Sequence, residues 1–455
     1  MRLSARVQGR SYRFRSVCDA LARASEPKAG DSFAKLGATS ACERAAAKMV
    51  LAGLTLGDLR THPAVPARTD AVTRAIDADV NETVYAEIRP RTVGDLRDWL
   101  LADTTSVEQI RRTGRALTGE MAASVAKLCS NLDLVYGARK MPVTTRARST
   151  IGLRGCMATR LQANHPAGDP EGITATIYEG LAYGAGDALV SIDPGAADAR
   201  RITELFAIAH DLIDRLQIPT QSCMLASAAA QTQALQHGVP LDVFTHALAG
   251  TEPALSELGV SVAQLDEARA LILNRGALRG TQLMHFRTSQ GTEATRGAHC
   301  SVDQTTLSAR ALALARRYNP LLVDSTTGQQ GAAALADGRQ LIRAGLEDHF
   351  MGKLLGVPAG ALACHTIDTA ADENDCENLA ALLASAGVNA LAVAALGDDL
   401  TSGTRSSSFH DAPTLRQTLA LRPAPEFESW LVERGLMANG RLTSRAGDPN
   451  LFLRG

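Results

Sequence analysis

Beyond residue 145, apolar and polar positions alternate in a repeating order. A short apolar run ends in polar residues or glycine, and an amphipathic stretch follows. Eight such runs stand near 155–161 and at DALVSI (187–192), SCMLAS (222–227), VFTHALAG (243–250), QLMHF (282–286), PLLVD (320–324), AGALACH (359–365) and NALAVAAL (389–396). Stretches such as ARRITELFAIAHDLIDRLQ and QTTLSARALALARRY lie between them and carry helical periodicity. Strands alternating with helices imply parallel pairing through right-handed crossovers. Eight repeats predict an α/β protein built as a (β/α)8 TIM-type barrel, with its working face at the carboxyl ends of the strands. A doubly wound open sheet is the alternative, but the first run is not followed by the GxGxxG phosphate turn such sheets use.

The part before residue 145 reads differently. Residues 2–15 alternate around Gly9, as in a hairpin, and helical segments follow, with Asp95 and Ser106 as expected helix starts. Glu108 lies close to Ser106 but not at the capping-box offset. The expected organisation is an N-terminal hairpin plus helices over 1–145 and a (β/α)8 barrel with a C-terminal tail over 146–455.

Composition narrows the function classes. The formal net charge of −1 gives no electrostatic case for nucleic acid or an anionic membrane surface. The eight cysteines form no CxxC pair and suggest no disulfide framework, which points to a reducing cytosol, with Cys223 and Cys364 as inert buried thiols. The N-terminus lacks the apolar core of a secretory signal. ALLASAGVNALAVAAL (381–396) reads as helix, turn and strand because Gly387 and Asn389 interrupt it. Walker A, GxSxG and HExxH patterns are absent, and the histidines make no metal pair at helical spacing. EDHFMG (347–352) fits ExHxxG, near the DxHxxG string of proteins that ligate cobalamin through histidine. Its surroundings, RQLIRAGLEDHFMGKLLG, read instead as one continuous helix packed through Leu346, Phe350 and Leu354, with Arg343, Glu347 and Lys353 on or near its surface.

Several long strings carry a family resemblance: ATSACERAAAKMVL (38–51), DVNETVY (79–85), CSNLDLVYGARKMPV (129–143), IYEGLAYGAGD (177–187), RAGLEDHFMGKLLG (343–356), LRPAPEFESWL (421–431) and MANGRLTSRAGDP (437–449). Over nearly its whole length the chain resembles the large subunit of ethanolamine ammonia-lyase. The resemblance implies a barrel with an N-terminal extension, and a carbon–nitrogen lyase that binds adenosylcobalamin with the cofactor's own base on cobalt. Homolysis then gives an adenosyl radical, which takes hydrogen from the carbinol carbon of ethanolamine, and ammonia and acetaldehyde result. It also implies a small subunit as partner, contacts between large subunits in a hetero-oligomer, and ethanolamine degradation in the cytoplasm, with a bacterial microcompartment left open.

The resemblance also assigns positions. Arg160 and Gln162, in ATRLQAN, match the family's hydroxyl-binding arginine and its glutamine, and with one residue between them they point the same way on a strand. Other substrate positions depart from the family. Asp193 stands in place of an asparagine, Arg287 in place of a glutamate, and Leu362 in place of the aspartate that receives the ammonium. Gln329 and Ala392 replace a phenylalanine and a methionine of the wall. Cofactor contacts fall at Pro194, His246, Thr295 and Thr401. Pro194 keeps its type and Thr295 is close to the family's serine, while His246 and Thr401 differ.

Arg287 alters the electrostatics most. Two like charges about 4 Å apart at an effective dielectric near 20 repel by roughly 4 kcal/mol, so an ammonium beside an unpaired Arg287 binds poorly. Asp193 can neutralise Arg287 or receive the ammonium, and hardly both. The alternatives to an ethanolamine lyase are a divergent radical lyase for an anionic amino-alcohol-type substrate, with Arg160 and Arg287 clamping a carboxylate or phosphate, and a non-catalytic, degenerate paralogue.

Overall fold

The computed structural model describes residues 3–165, 167–195, 199–399 and 402–452. All eight expected runs form strands: β1 (Ala158–Asn164), β2 (Leu189–Asp193), β3 (Ser222–Met224), β4 (Phe244–Ala247), β5 (Met284–Thr288), β6 (Leu322–Thr327), β7 (Ala359–Thr366) and β8 (Ala390–Ala394). Neighbours pair in parallel in chain order, and β8 returns to β1 with Ala392 opposite Arg160. The β3–β4 seam is joined by the Val243 N–H donating to the Ser222 carbonyl at 3.2 Å. The sheet is a nearly closed TIM-type barrel. β1 starts later than expected, at Ala158, because the preceding residues belong to a turn in which Gly155 takes φ +76°.

Strand alternation divides the side chains. Leu161 and Ala163 of β1 face outward into the main core shared with the helices. Ala158, Leu189, Cys223, Val243, Leu322 and Ala390 turn inward and close the barrel floor with an apolar plug. Above that plug, polar positions face an apolar patch of Leu362, Cys364 and Ala392, and together they form the candidate site.

The outer helices include α1 (Pro170–Ala182), α2 (Ala199–Arg215), α3 (Ala228–Gln236), α4 (Val262–Arg275), α5 (Gln304–Arg316), α6 (Gly338–Leu354) and α7 (Glu373–Ser385). After β8, a hairpin of Asp398–Asp399 and Thr404–Ser406 folds back and pairs antiparallel with the end of β7. The segment 381–396 divides as expected into the end of α7, a turn at Gly387 with φ +82°, and β8. Among the described residues no helix is long and apolar enough to cross a membrane.

The N-terminal residues form the expected hairpin, Ser4–Val7 with Arg10–Arg13, and then a set of helices. Of the two expected helix starts, one differs from the sequence reading. Thr92, not Asp95, caps Val93–Leu101; Asp95 is the third helical residue and returns a bond to the Thr92 N–H. Ser106 does cap its helix, and Gln109 closes the box, three residues on as the geometry requires.

Helix α6 is continuous, as expected, but Arg343, Glu347 and Lys353 are buried rather than near a surface. The N-terminal helices lie over this polar stripe. Lys28 Nζ reaches Glu347 at 2.8 Å, and Arg343 donates to the carbonyls of Ala126 and Cys129. Helix α5 is held in the same way: Lys127 pairs with Asp303, Arg310 with Asp70 and Glu120, and Arg316 with Asp79. Gly119 permits this closeness, since a Cβ there would stand 2.7 Å from the Arg310 backbone.

Candidate active site

Arg160 stands on the inward face of β1, fully buried. Its Nε donates to Asp324 Oδ2 of β6 at 2.5 Å. The same carboxylate oxygen accepts from His285 Nε2 of β5 at 3.2 Å, and the Thr245 hydroxyl of β4 donates to His285 Nδ1 at 2.7 Å. This assigns His285 as a neutral imidazole with its proton on Nε2, and burial pushes its pKa down. Burial alone would raise the Asp324 pKa, but the Arg160 charge and the His285 bond hold it below the usual carboxylate range. The four residues form a fixed polar layer in which Arg160 stays oriented.

Arg160 Nη1 donates to Gln162 Oε1 at 3.1 Å, and Gln162 Nε2 donates to Asp399, carried in by the hairpin beyond β8. Arg160 Nη2 is buried with no partner among the described residues. One donor of the guanidinium is therefore left for a ligand.

Asp193 ends β2, opposite Asn164. Its Oδ1 accepts from the Gly195 N–H at 3.0 Å. Burial raises its pKa and nearby Asp399 adds to the rise, while the Gly195 bond, Arg287 and Arg160 oppose it. Arg287 lies on β5 between Ala247 and Asp324. Among the described residues no ion pair joins it to Asp193 or to another acid, and its Nε is buried and unpartnered. Burial first, and then Arg160, lower its proton affinity. Leu362 is buried on β7 and packs with Cys364 and Ala392 into an apolar patch of the inner wall. Gln329 follows β6 and donates its N–H to the Thr326 carbonyl.

The expected cofactor contacts flank the strand ends. Pro194 follows β2 and is buried. His246 on β4 donates from Nδ1 to the Ala247 carbonyl at 2.7 Å, and burial lowers its pKa. Thr295 ends the short helix after β5 and donates to Gln330 Oε1 at 2.9 Å. Thr401 lies outside the described residues. His349 of the ExHxxG string sits inside α6, buried, 3.5 Å from the Ala386 carbonyl, with its pKa pushed down to about 3 by burial. Cys223 and Cys364 are buried free thiols, and burial pushes Cys223 up to about 11.

The structure thus brings Arg160, Gln162, Asp193, Arg287 and Leu362 to one end of one barrel. Sequence reasoning missed Asp324, His285, Thr245 and Asp399. His285 did leave a signal, since it lies between Met284 and Phe286 in an otherwise apolar run and so had to face the opposite way. Asp399 left none, because its approach depends on the hairpin.

A family profile described as "Ethanolamine ammonia lyase large subunit (EutB)" matches residues 12–445. The ethanolamine ammonia-lyase large subunit of Salmonella typhimurium is 45% identical over 452 residues, covering 99% of this chain and 100% of that one. The same protein of Escherichia coli K12 matches at the same identity and coverage. The chain belongs to the ethanolamine ammonia-lyase large-subunit family.

Proposed function

We propose that the chain is the large subunit of an adenosylcobalamin-dependent radical lyase that releases ammonia from a vicinal amino alcohol, as in the conversion of ethanolamine to acetaldehyde. Arg160 carries this reading: a buried guanidinium held on one side by Asp324, with a free Nη2 beside Gln162.

The described residues at the strand ends would hold the cofactor without calling on the histidine of the ExHxxG string. His349 is buried inside α6, against the Ala386 carbonyl. Pro194, His246, Thr295 and Thr401 are the positions proposed to meet it. When bound, the cofactor supplies a carbon radical by breaking its cobalt–carbon bond.

The chain's own groups do the rest. Arg160 Nη2 donates to the substrate hydroxyl. That hydroxyl becomes more acidic once the carbinol carbon has lost hydrogen, so the bond strengthens as the reaction proceeds. Gln162, aimed by Arg160 and Asp399, fixes the hydroxyl from a second side. Asp193 receives the ammonium. Leu362, Cys364 and Ala392 present an apolar wall that excludes water from the reacting carbons. A small subunit is the proposed partner, completing the cofactor site.

The test is ammonia release by the chain assembled with its small subunit, across a panel of vicinal amino alcohols. Release should require adenosylcobalamin. Removing the Arg160 donor should lower kcat by about a hundredfold or more, as the loss of a charge-stabilising donor does elsewhere. A complex that binds adenosylcobalamin yet releases no ammonia from any member contradicts the reading.

A further inference from the structure

Arg287 has no task in the reaction as drawn. It is a guanidinium at the inner mouth of a barrel, with a buried, unpartnered Nε and no ion pair among the described residues. The side chain is half-buried, so its charge is only partly solvated and a counter-ion beside it would be favourable. Asp193 acts on it only at a distance: the two charges favour each other, but Oδ1 is turned to the Gly195 N–H and no direct ion pair joins them. Asp324 does not cancel it either, being shared between Arg160 and His285. The wall at Leu362 offers no acceptor. The mouth therefore holds one free anion receptor, one carboxylate for a cation, and one free donor for a hydroxyl.

We infer that the substrate is a zwitterion, a vicinal amino alcohol that also bears a carboxylate. Arg287 holds the carboxylate, Asp193 the ammonium and Arg160 the hydroxyl. This rests on the lyase reading above and names its substrate class. The carboxylate sits either on the amino carbon, as in serine, or on the carbinol carbon, as in isoserine. Both eliminations balance without an added oxidant. The carbon–nitrogen bond breaks, a hydrogen moves from the carbinol carbon to the carbon that held nitrogen, and the hydroxyl proton leaves on the ammonium. Serine gives the aldehyde acid 3-oxopropanoate, and isoserine gives pyruvate.

The experiment measures binding of serine, isoserine and ethanolamine to the complex by calorimetry, and then ammonium release with adenosylcobalamin. One of the two acids should bind at least about tenfold tighter than ethanolamine, and its oxo acid should appear with ammonium. Arg287→Glu should reverse the order. Arg287→Gln, which removes the charge but keeps a polar end, should lose the acid and serves where the glutamate variant does not assemble. Ethanolamine binding tighter than both acids, or acid binding that survives Arg287→Gln, overturns the inference and leaves the lyase reading in place. Acid binding lost in Arg287→Gln, in a complex that releases no ammonium under any condition, supports the inference and overturns the reaction.

Discussion

Gly360 lacks a side chain because Asp324 needs the room. A Cβ at Gly360 would lie 2.1 Å from Asp324 Oδ1, and the backbone there is not left-handed, so space alone demands glycine. Gly360→Ala should push the carboxylate off Arg160. The expected result in urea unfolding is a loss of about 1–3 kcal/mol, the usual range for overpacking, with a larger fractional loss of kcat than of cofactor binding. Unchanged kcat would show that Asp324 does not position Arg160. At this scale the sequence was only partly legible. Arg160 and Gln162 were readable from their spacing on one strand face. The partner of Arg160 was not, because Asp324 closes an apolar run and pairing across a barrel depends on register between distant strands. Asp193 adds a pH effect. Its pKa is raised, so ammonium binding should improve as pH rises through that raised value, and Asp193→Asn should remove this limb of the KM profile.

At the scale of the element, the eight runs stood out because each is short, apolar and closed by polar residues. Helix α6 was legible as a helix and misread as partly exposed. Its period shows a polar stripe, but nothing local says whether water or another layer covers that stripe. The covering layer depends on helix contact closer than side chains allow. Gly119→Val would place its Cβ 2.7 Å from the Arg310 backbone, where no flexible atom can yield. We expect the urea midpoint to fall by an amount equivalent to about 1–3 kcal/mol. An unchanged midpoint would mean that the helices around Gly119 and Arg310 can separate at no cost.

Over the whole molecule, buried charges should set the dependence of stability on pH. The Glu347 pKa is held at about 2 because Lys28 and Arg343 outweigh its burial. The unfolded value is near 4.3. Its contribution is therefore complete above that value and lost as pH falls from about 4 to about 2. Lys353 works on the other side. Burial lowers its pKa to about 7, against an unfolded value near 10.4. The unfolded chain then binds more protons between the two, so stability should rise with pH across that window. Urea midpoints across pH should show both slopes; Glu347→Gln should flatten the first and Lys353→Met the second. The barrel mouth is tested most sharply by the paramagnetic resonance spectrum of the complex loaded with adenosylcobalamin and mixed with a vicinal amino alcohol. A coupled cobalt–radical signal should appear that needs the substrate and disappears in Arg160→Ala. A spectrum that stays silent with ethanolamine, serine and isoserine alike, in a complex shown to hold the cofactor, would contradict the lyase reading.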